Sequence, residues 1–591
     1  MPSIFNALNI GASGLNVAQN AINITGNNIS NANTPGYTNE SPTITENYPI
    51  NTPTGQYGLG VNIQTITSSR NQLLDNTLNQ QLNSQAYYQT LNDNLSQIQN
   101  IFNETNGSGL DTALNNFFSS WQSLSSNPDL ATARQQVIQN GQTLVQAIQS
   151  SYGSLQQLNT SLNSQVVSSV NQINTITQNI ASINNEIKLA ALSPNQSANT
   201  LIDQRNQLVQ QLQKIANVTV LNNTYSPGSQ NQSISDNQSE MTILLGGATI
   251  VSGINSTNLT TQTISNGQNV GVVASGQIIT NKITGGSLGA VIQLANQTSP
   301  SDSNTPNTQG TLNYMDTLNT LANSIINQVN IIHSGGSGLS AYTQTQGTYA
   351  ITSSTNPISQ SEQAGVNLPI KDGTLSVNIY DSNNNLVNTV SIPIGASDAF
   401  DDISIRFNNA LGQYGISMNL SGIAQGNVQI ISNSNYKFSF AGDTSNFLAA
   451  AGINTFFTGT NASNIAVNSV IVNDQSKIAA GKSLSPGDNT NALAIANLQN
   501  QNVMDANTQT INQYYEAFVG QIGSLAKSNQ NILNSQNSMV GQTQSMVQSQ
   551  EGVSLDQEAA NLIKYQMAYQ ASAQFIAIVN QMTQSLINMV Q

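Results

Sequence analysis

Residues 555–590 read LDQEAANLIKYQMAYQASAQFIAIVNQMTQSLINMV. Every seventh position holds Leu555, Leu562, Tyr569, Ile576, Thr583 and Val590. The interleaved positions are Tyr565, Val579 and Leu586, with Ser572 the polar exception among them. This 4-3 alternation lays one narrow apolar seam along a single long helix. No Gly or Pro follows Gly552 to interrupt it. A narrow seam needs a partner helix, and the comparable stripe lies at the other end of the chain. Ile4, Leu8, Gly11, Leu15, Ala18, Ile22, Thr25 and Ile29 repeat the same spacing.

The first stripe contains Gly11 and Gly14, each of which weakens a helix by about 1 kcal/mol relative to Ala. Such a helix is expected to be ordered only when packed. The two stripes could pair within one chain or between copies. Seams that are marginal alone suit partners in an assembly. The expected subunit interface is therefore Ile4, Leu8, Leu15, Ala18, Ile22 and Ile29 on the first helix. On the last it is Leu555, Leu562, Tyr565, Tyr569, Ile576, Val579, Leu586 and Val590.

Between these ends lie enough residues for several domains. Of the 591 residues 38% are hydrophobic, enough for real cores, while only 7% are charged. Asn, Gln, Ser and Thr supply the polar surface instead, so salt should perturb it little. A net charge of -14 with 13 basic residues argues against nucleic acid as a partner. The absence of cysteine removes disulfides, thiol catalysis and thiolate metal sites. Met1–Asn6 lacks the basic and apolar regions of a cleaved signal peptide. No run approaches the roughly 18 apolar residues of a membrane helix, so membrane insertion is not expected.

In chain order, the first helix should stop at Asn33-Thr34-Pro35-Gly36-Tyr37, where Pro35 and Gly36 dictate a turn. Residues 38–66 are strand-like. Helical patterns follow over 70–102 and 130–192, the latter with Leu162, Val166, Ile173, Ile176, Ile180, Ile183 and Ile187 on one face. Phe117, Phe118 and Trp121 read as bundle core. Thr242–Val251 around Gly246-Gly247 reads as a hairpin. Helical pattern returns at 288–332. Strand alternation then appears at Leu375, Val377 and Ile379, at Ile416, Met418 and Leu420, and at Tyr436, Phe438 and Phe440, with one short helix near 398–411. From Asn489 onward the pattern is helical.

His333 is the only histidine and sits before Gly335-Gly336. A histidine at a helix end favourably meets the helix dipole, and this capping role outweighs a catalytic one. Asp401-Asp402 reads as a helix start rather than an acid-base pair. One His without Cys makes zinc chemistry untenable, and no nucleotide or calcium motif appears. Neither a cofactor, a metal nor a catalytic residue is expected.

Ile29–Tyr37, including Asn33, Thr34, Pro35, Gly36 and Tyr37, resembles the N-terminal signature of the flagellar rod, hook and hook-associated axial protein family. Gly552–Leu562 followed by Tyr569-Gln570-Ala571 resembles its C-terminal signature. Asp203-Gln204-Arg205, Gly285–Gly289, Asn330–Gly336 and Gly487–Ala492 resemble the hook-associated branch, whereas hook and rod proteins share only the terminal signatures. The resemblance implies an α+β multidomain structural protein of the bacterial flagellum, not an enzyme. Its terminal helical domain would comprise 1–37 and 555–591. A discontinuous helical domain would take 38–216, 285–340 and 487–554, with a small β insert at 217–284 and an outer mainly-β domain at 341–486. The resemblance further implies a junction ring between hook and filament, built by helical packing of the terminal helices. Implied partners are further copies of itself, the hook protein, a second junction protein on the filament side, and a cytoplasmic export chaperone on the C-terminal helix. It implies an extracellular location reached through the flagellar secretion apparatus. A hook or rod protein, or an axial protein carrying a glycan-binding or enzymatic insert, are the alternative readings.

Overall fold

The computed structural model describes residues 4–52, 55–102, 109–191, 198–222, 241–264, 269–296, 310–358 and 368–590. The fold is α+β and multidomain, with long helices and several small antiparallel sheets. Two compact units divide the chain. One holds Met1–Asp93, Ser161–Asn296 and Ser528–Gln591, the other Asn94–Thr160 and Gln297–Lys527.

In the first unit, helix Ile4–Asn31 packs on helix Leu555–Val590. An antiparallel hairpin, Glu40–Glu46 with Val61–Ser68, follows the first helix and lies against it. Leu78 and Leu82 of helix Gln72–Ile101 pack on Val540 of helix Ile511–Glu551. The later half of helix Ala131–Ala191 buries Leu162, Val166, Val170, Ile173, Ile180 and Ile187. Its stripe also buries Thr177 and Asn184, where the apolar pattern pointed to Ile176 and Ile183. Hydrogen bonding explains the exchange. Thr177 donates to the Asn174 carbonyl, and Asn184 donates to the Gly253 carbonyl at 2.7 Å while accepting from Arg205. The expected hairpin forms as Met241–Leu245 and Ala248–Ser252. Gly246 and Gly247 both take positive φ (57° and 83°), as the tight primed turn requires.

In the second unit, Leu114, Phe117, Phe118, Trp121 and Leu124 of helix Leu110–Ser126 are fully buried. Two three-stranded sheets share a core with helix Phe400–Leu411. One orders Gln344–Ile351, Gly426–Ser432 and Ile416–Leu420, the other Leu386–Ile394, Gly373–Tyr380 and Lys437–Asp443. The alternating residues Leu375, Val377, Ile379, Phe438 and Phe440 all point into that core. Asp402 accepts from the Ala399 N–H at 3.1 Å, satisfying the start of the Phe400–Leu411 helix. Residues 454–480, grouped with the β region from sequence, touch that region through Tyr349, which donates to the Gly459 carbonyl, and also touch helices. Phe456 stacks edge-on against Trp121, Gln149 donates to the Ile465 carbonyl, and Arg134 donates to the Gln475 and Ile478 carbonyls.

The internal motifs are polar knots that fix these loops. Asn330 accepts from the Phe456 and Phe457 N–H groups and donates to the Phe457 carbonyl. Asn491 donates to the Ile332 carbonyl at 2.8 Å. Asp488 gathers Lys482 N–H, Ser483 and Thr490.

His333 departs from the capping expectation. It is fully buried, donates through Nδ1 to the Asn454 carbonyl at 2.7 Å, and accepts through Nε2 from the Ala479 N–H at 3.0 Å. That pairing fixes the neutral imidazole, because a charged ring has no acceptor nitrogen for Ala479. Burial pushes its pKa down to about 4. The unfolded chain therefore takes up a proton below pH ~6.5 that the folded unit refuses until about 4. This unit is expected to lose about 3 kcal/mol of stability as pH falls through that window. Trp121, the only tryptophan and 6.0 Å from the His333 ring, reports the transition by fluorescence in denaturant titrations at each pH. His333→Gln should flatten the slope. Asp443, whose buried carboxyl is pushed up, acts with the opposite sign.

Candidate assembly interface

The first and last helices run antiparallel in one chain. Gly11 meets Phe575 and Ile576, Gly14 meets Ser572, and Asn28 meets Glu558. The two glycines let the backbones approach. A Cβ on Gly11 would stand 2.7 Å from Ile576 Cγ1, and one on Gly14 would stand 2.9 Å from Ser572 Oγ. Ser572, the polar exception in the last stripe, is thus the small residue opposite a glycine. Packing therefore needs the features that lower helix propensity.

The seam residues divide accordingly. Ala18 and Val579 are buried, and Ile4, Leu8, Leu15, Ile22, Ile29, Leu562, Tyr565 and Ile576 are half-buried. Leu555, Tyr569 and Leu586 are exposed, and the Val590 side chain lies outside the described residues. Roughly the opposite face of the last helix carries a second stripe that the 4-3 reading passed over. Ile563, Met567, Ile578, Met582 and Met589 are all exposed there. The pair is nearly free of charge: none occurs from Met1 to Asn39, nor after Lys564.

The signature after the first helix closes the pair onto its unit. Gly36 takes φ 76°, the left-handed turn that favours glycine, and the Gln207 side chain donates to the Pro35 carbonyl. Thr34 donates to Asn31, while Asn33 is exposed. The Tyr37 hydroxyl donates to Asn28 Oδ1 at 2.8 Å. Asn28, 1% exposed, donates to Asn39 Oδ1 (2.9 Å), the Glu40 carbonyl (2.8 Å) and Glu558 Oε2 (3.1 Å). The next residues tie down further. Asp203 accepts from the Thr38 N–H (3.0 Å) and from Arg70 (2.9 Å), and Arg70 also pairs with Asp75. Glu551 accepts from the Asn71 N–H at 2.8 Å, and its carbonyl accepts from the Asn39 N–H. Two of the three ion pairs among the described residues meet at Arg70. Sequence reading marked Asp203-Gln204-Arg205 as a motif but missed this convergence, whose partners lie far apart along the chain.

Among the described residues no cluster of His, Asp and Glu could hold a metal ion, and no helix is long and apolar enough to cross a membrane.

Three family models match the chain in order: the flagella basal body rod protein at residues 8–38, the flagellar hook-associated protein FlgK helical domain at 95–348, and the flagellar basal body rod FlgEFG protein C-terminal at 543–589. Paired ends of rod-protein type, closed around a large insert, define an axial protein of the flagellum. The Escherichia coli (strain K12) flagellar hook-associated protein 1 is 27% identical, over 98% of this chain and 99% of its own length. That of Bacillus subtilis (strain 168) is 32% identical over 37% of this chain and 45% of its own. The structure of the flagellar hook junction protein FlgK from Burkholderia pseudomallei shares the fold, with TM-score 0.51, 19% identity, and coverage of 80% of this chain and 100% of that one. The chain is thus similar to flagellar hook-associated protein 1 over nearly its whole length, and the three family models support a structural protein of the flagellum.

Proposed function

We propose that copies of this chain pack through their closed helix pairs into a ring joining the flagellar hook to the filament. The exposed stripe of the last helix carries the reading. The buried and half-buried seam residues face the other helix inside each chain, so they shape the assembling pair, and the outer stripe supplies the contact between copies. A surface with almost no charge lets acidic chains approach without close like-charge repulsion. Contacts that join two different patches head to tail generate rings when the rotation closes, so the stripe meets another face of the neighbouring copy. The ring's neighbours in this reading are the hook protein, a second junction protein on the filament side and, before export through the flagellar secretion apparatus to the cell exterior, a chaperone on the last helix. The terminal helical domain, the discontinuous helical domain and the two β inserts keep their proposed division, with 454–480 touching both the outer β insert and the helices.

Ile578→Asp together with Met582→Asp is expected to leave the monomer folded, since both side chains are exposed. Filaments should detach, because each new carboxylate would be buried unpaired between copies. Complementation of a null strain, with immunogold labelling of isolated flagella, tests this. Normal filaments, or label away from the hook-filament boundary, would overturn it.

A further inference from the structure

Seven charged groups meet where the helix pair joins the rest of its unit. The first strand brings Glu40. Helix Gln72–Ile101 brings Asp75, with Arg70 just before it. Helix Asn199–Ile215 brings Asp203 and Arg205, and the ends of the last two helices bring Glu551 and Glu558. Asp203, Arg205, Glu551 and Glu558 are all buried, and Tyr37 supplies the remaining titratable hydroxyl. Asp556, nearby on the last helix, is exposed. Arg70 is shared between Asp75 and Asp203, and Arg205 donates to Asn184 while facing Arg70 as a like charge. Carboxylates therefore outnumber the guanidinium groups in a site largely shielded from water.

We propose that this cluster is a proton-linked clasp, in which proton uptake by the carboxylates tightens the helix pair onto its unit and their ionisation loosens it. A neutral carboxyl keeps the observed bonds from Thr38 and Asn71 by accepting through its carbonyl oxygen. Burial holds the Glu40, Asp203 and Glu551 carboxyls above the usual range, and for Asp203 the Arg70 charge does not cancel it. Opening returns them to water and to ordinary values near 4. Between those limits the closed form binds more protons than the open form. Closure therefore strengthens as pH falls through that window and weakens as it rises.

Amide hydrogen exchange of the full chain, corrected for intrinsic rates, tests the clasp. Residues 20–31 and 555–566 are expected to be several-fold better protected at pH 4.5 than at pH 8.5, because carboxyls held above their ordinary range favour the closed form increasingly as pH falls toward that range. Glu40→Gln with Glu551→Gln should shrink the difference to the part that Asp203 supplies. If that pair does not fold, Glu40→Gln alone must shrink the difference. Equal protection of the wild type at both pH values, greater protection at pH 8.5, or a variant keeping the full difference would overturn the proposal.

Discussion

Gly11→Leu is expected to part the first and last helices and abolish filament attachment. A single Cβ at Gly11 already stands 2.7 Å from Ile576 and 3.0 Å from Phe575, and leucine adds three further carbons. Overpacking of this kind costs about 1–3 kcal/mol, and adding Gly14→Leu brings a second clash against Ser572. The helix pair should lose most of its exchange protection while Trp121 fluorescence stays native. Gly26 is the internal control. It lies in the same helix, but a Cβ there meets nothing within 4 Å. Gly26→Ala should be neutral or stabilising by up to about 1 kcal/mol. If Gly11→Leu swims like wild type and keeps its protection, the close approach is not what holds the pair.

Asn28→Leu is expected to have the second large effect. It removes three donations and two acceptances at once, and takes from the buried Glu558 carboxylate its contact with the first helix. Stripping a buried charge of a partner costs about 3 kcal/mol. Both chain ends should become protease-sensitive while the middle of the chain stays resistant. Glu558→Met added to Asn28→Leu should recover part of the loss, because two apolar partners leave no stranded charge. A double variant worse than the sum of its singles would show that Asn28 acts elsewhere.

The helices were legible in sequence because helical spacing is local. The 4-3 stripes located both terminal helices, and strand alternation located the sheets around Leu375, Ile416 and Phe438. What sequence concealed depends on partners remote in the chain. Gly11, Gly14 and Ser572 read as flaws because their value appears only where two backbones touch. Thr177 and Asn184 fall outside the apolar stripe because hydrogen bonds, not hydrophobicity, admit them to the core. His333 read as a helix-end cap because nothing nearby reveals that Asn454 and Ala479 enclose it. Residues 454–480 read with the strands around them, and their further contacts with helices come from partners remote in the chain.

The bond between Asn28 and Glu558 spans 530 residues of chain. Few contacts in a protein close so long a loop, and such contacts form late because the whole intervening chain must first be at hand. A chain that emerges end first from any conduit thus cannot complete this pair until its second terminus arrives, whichever end leads. Up to that moment both seams stand uncovered and available to strangers. The two-helix unit therefore exists only where both helices are present: a chain lacking either one cannot form it.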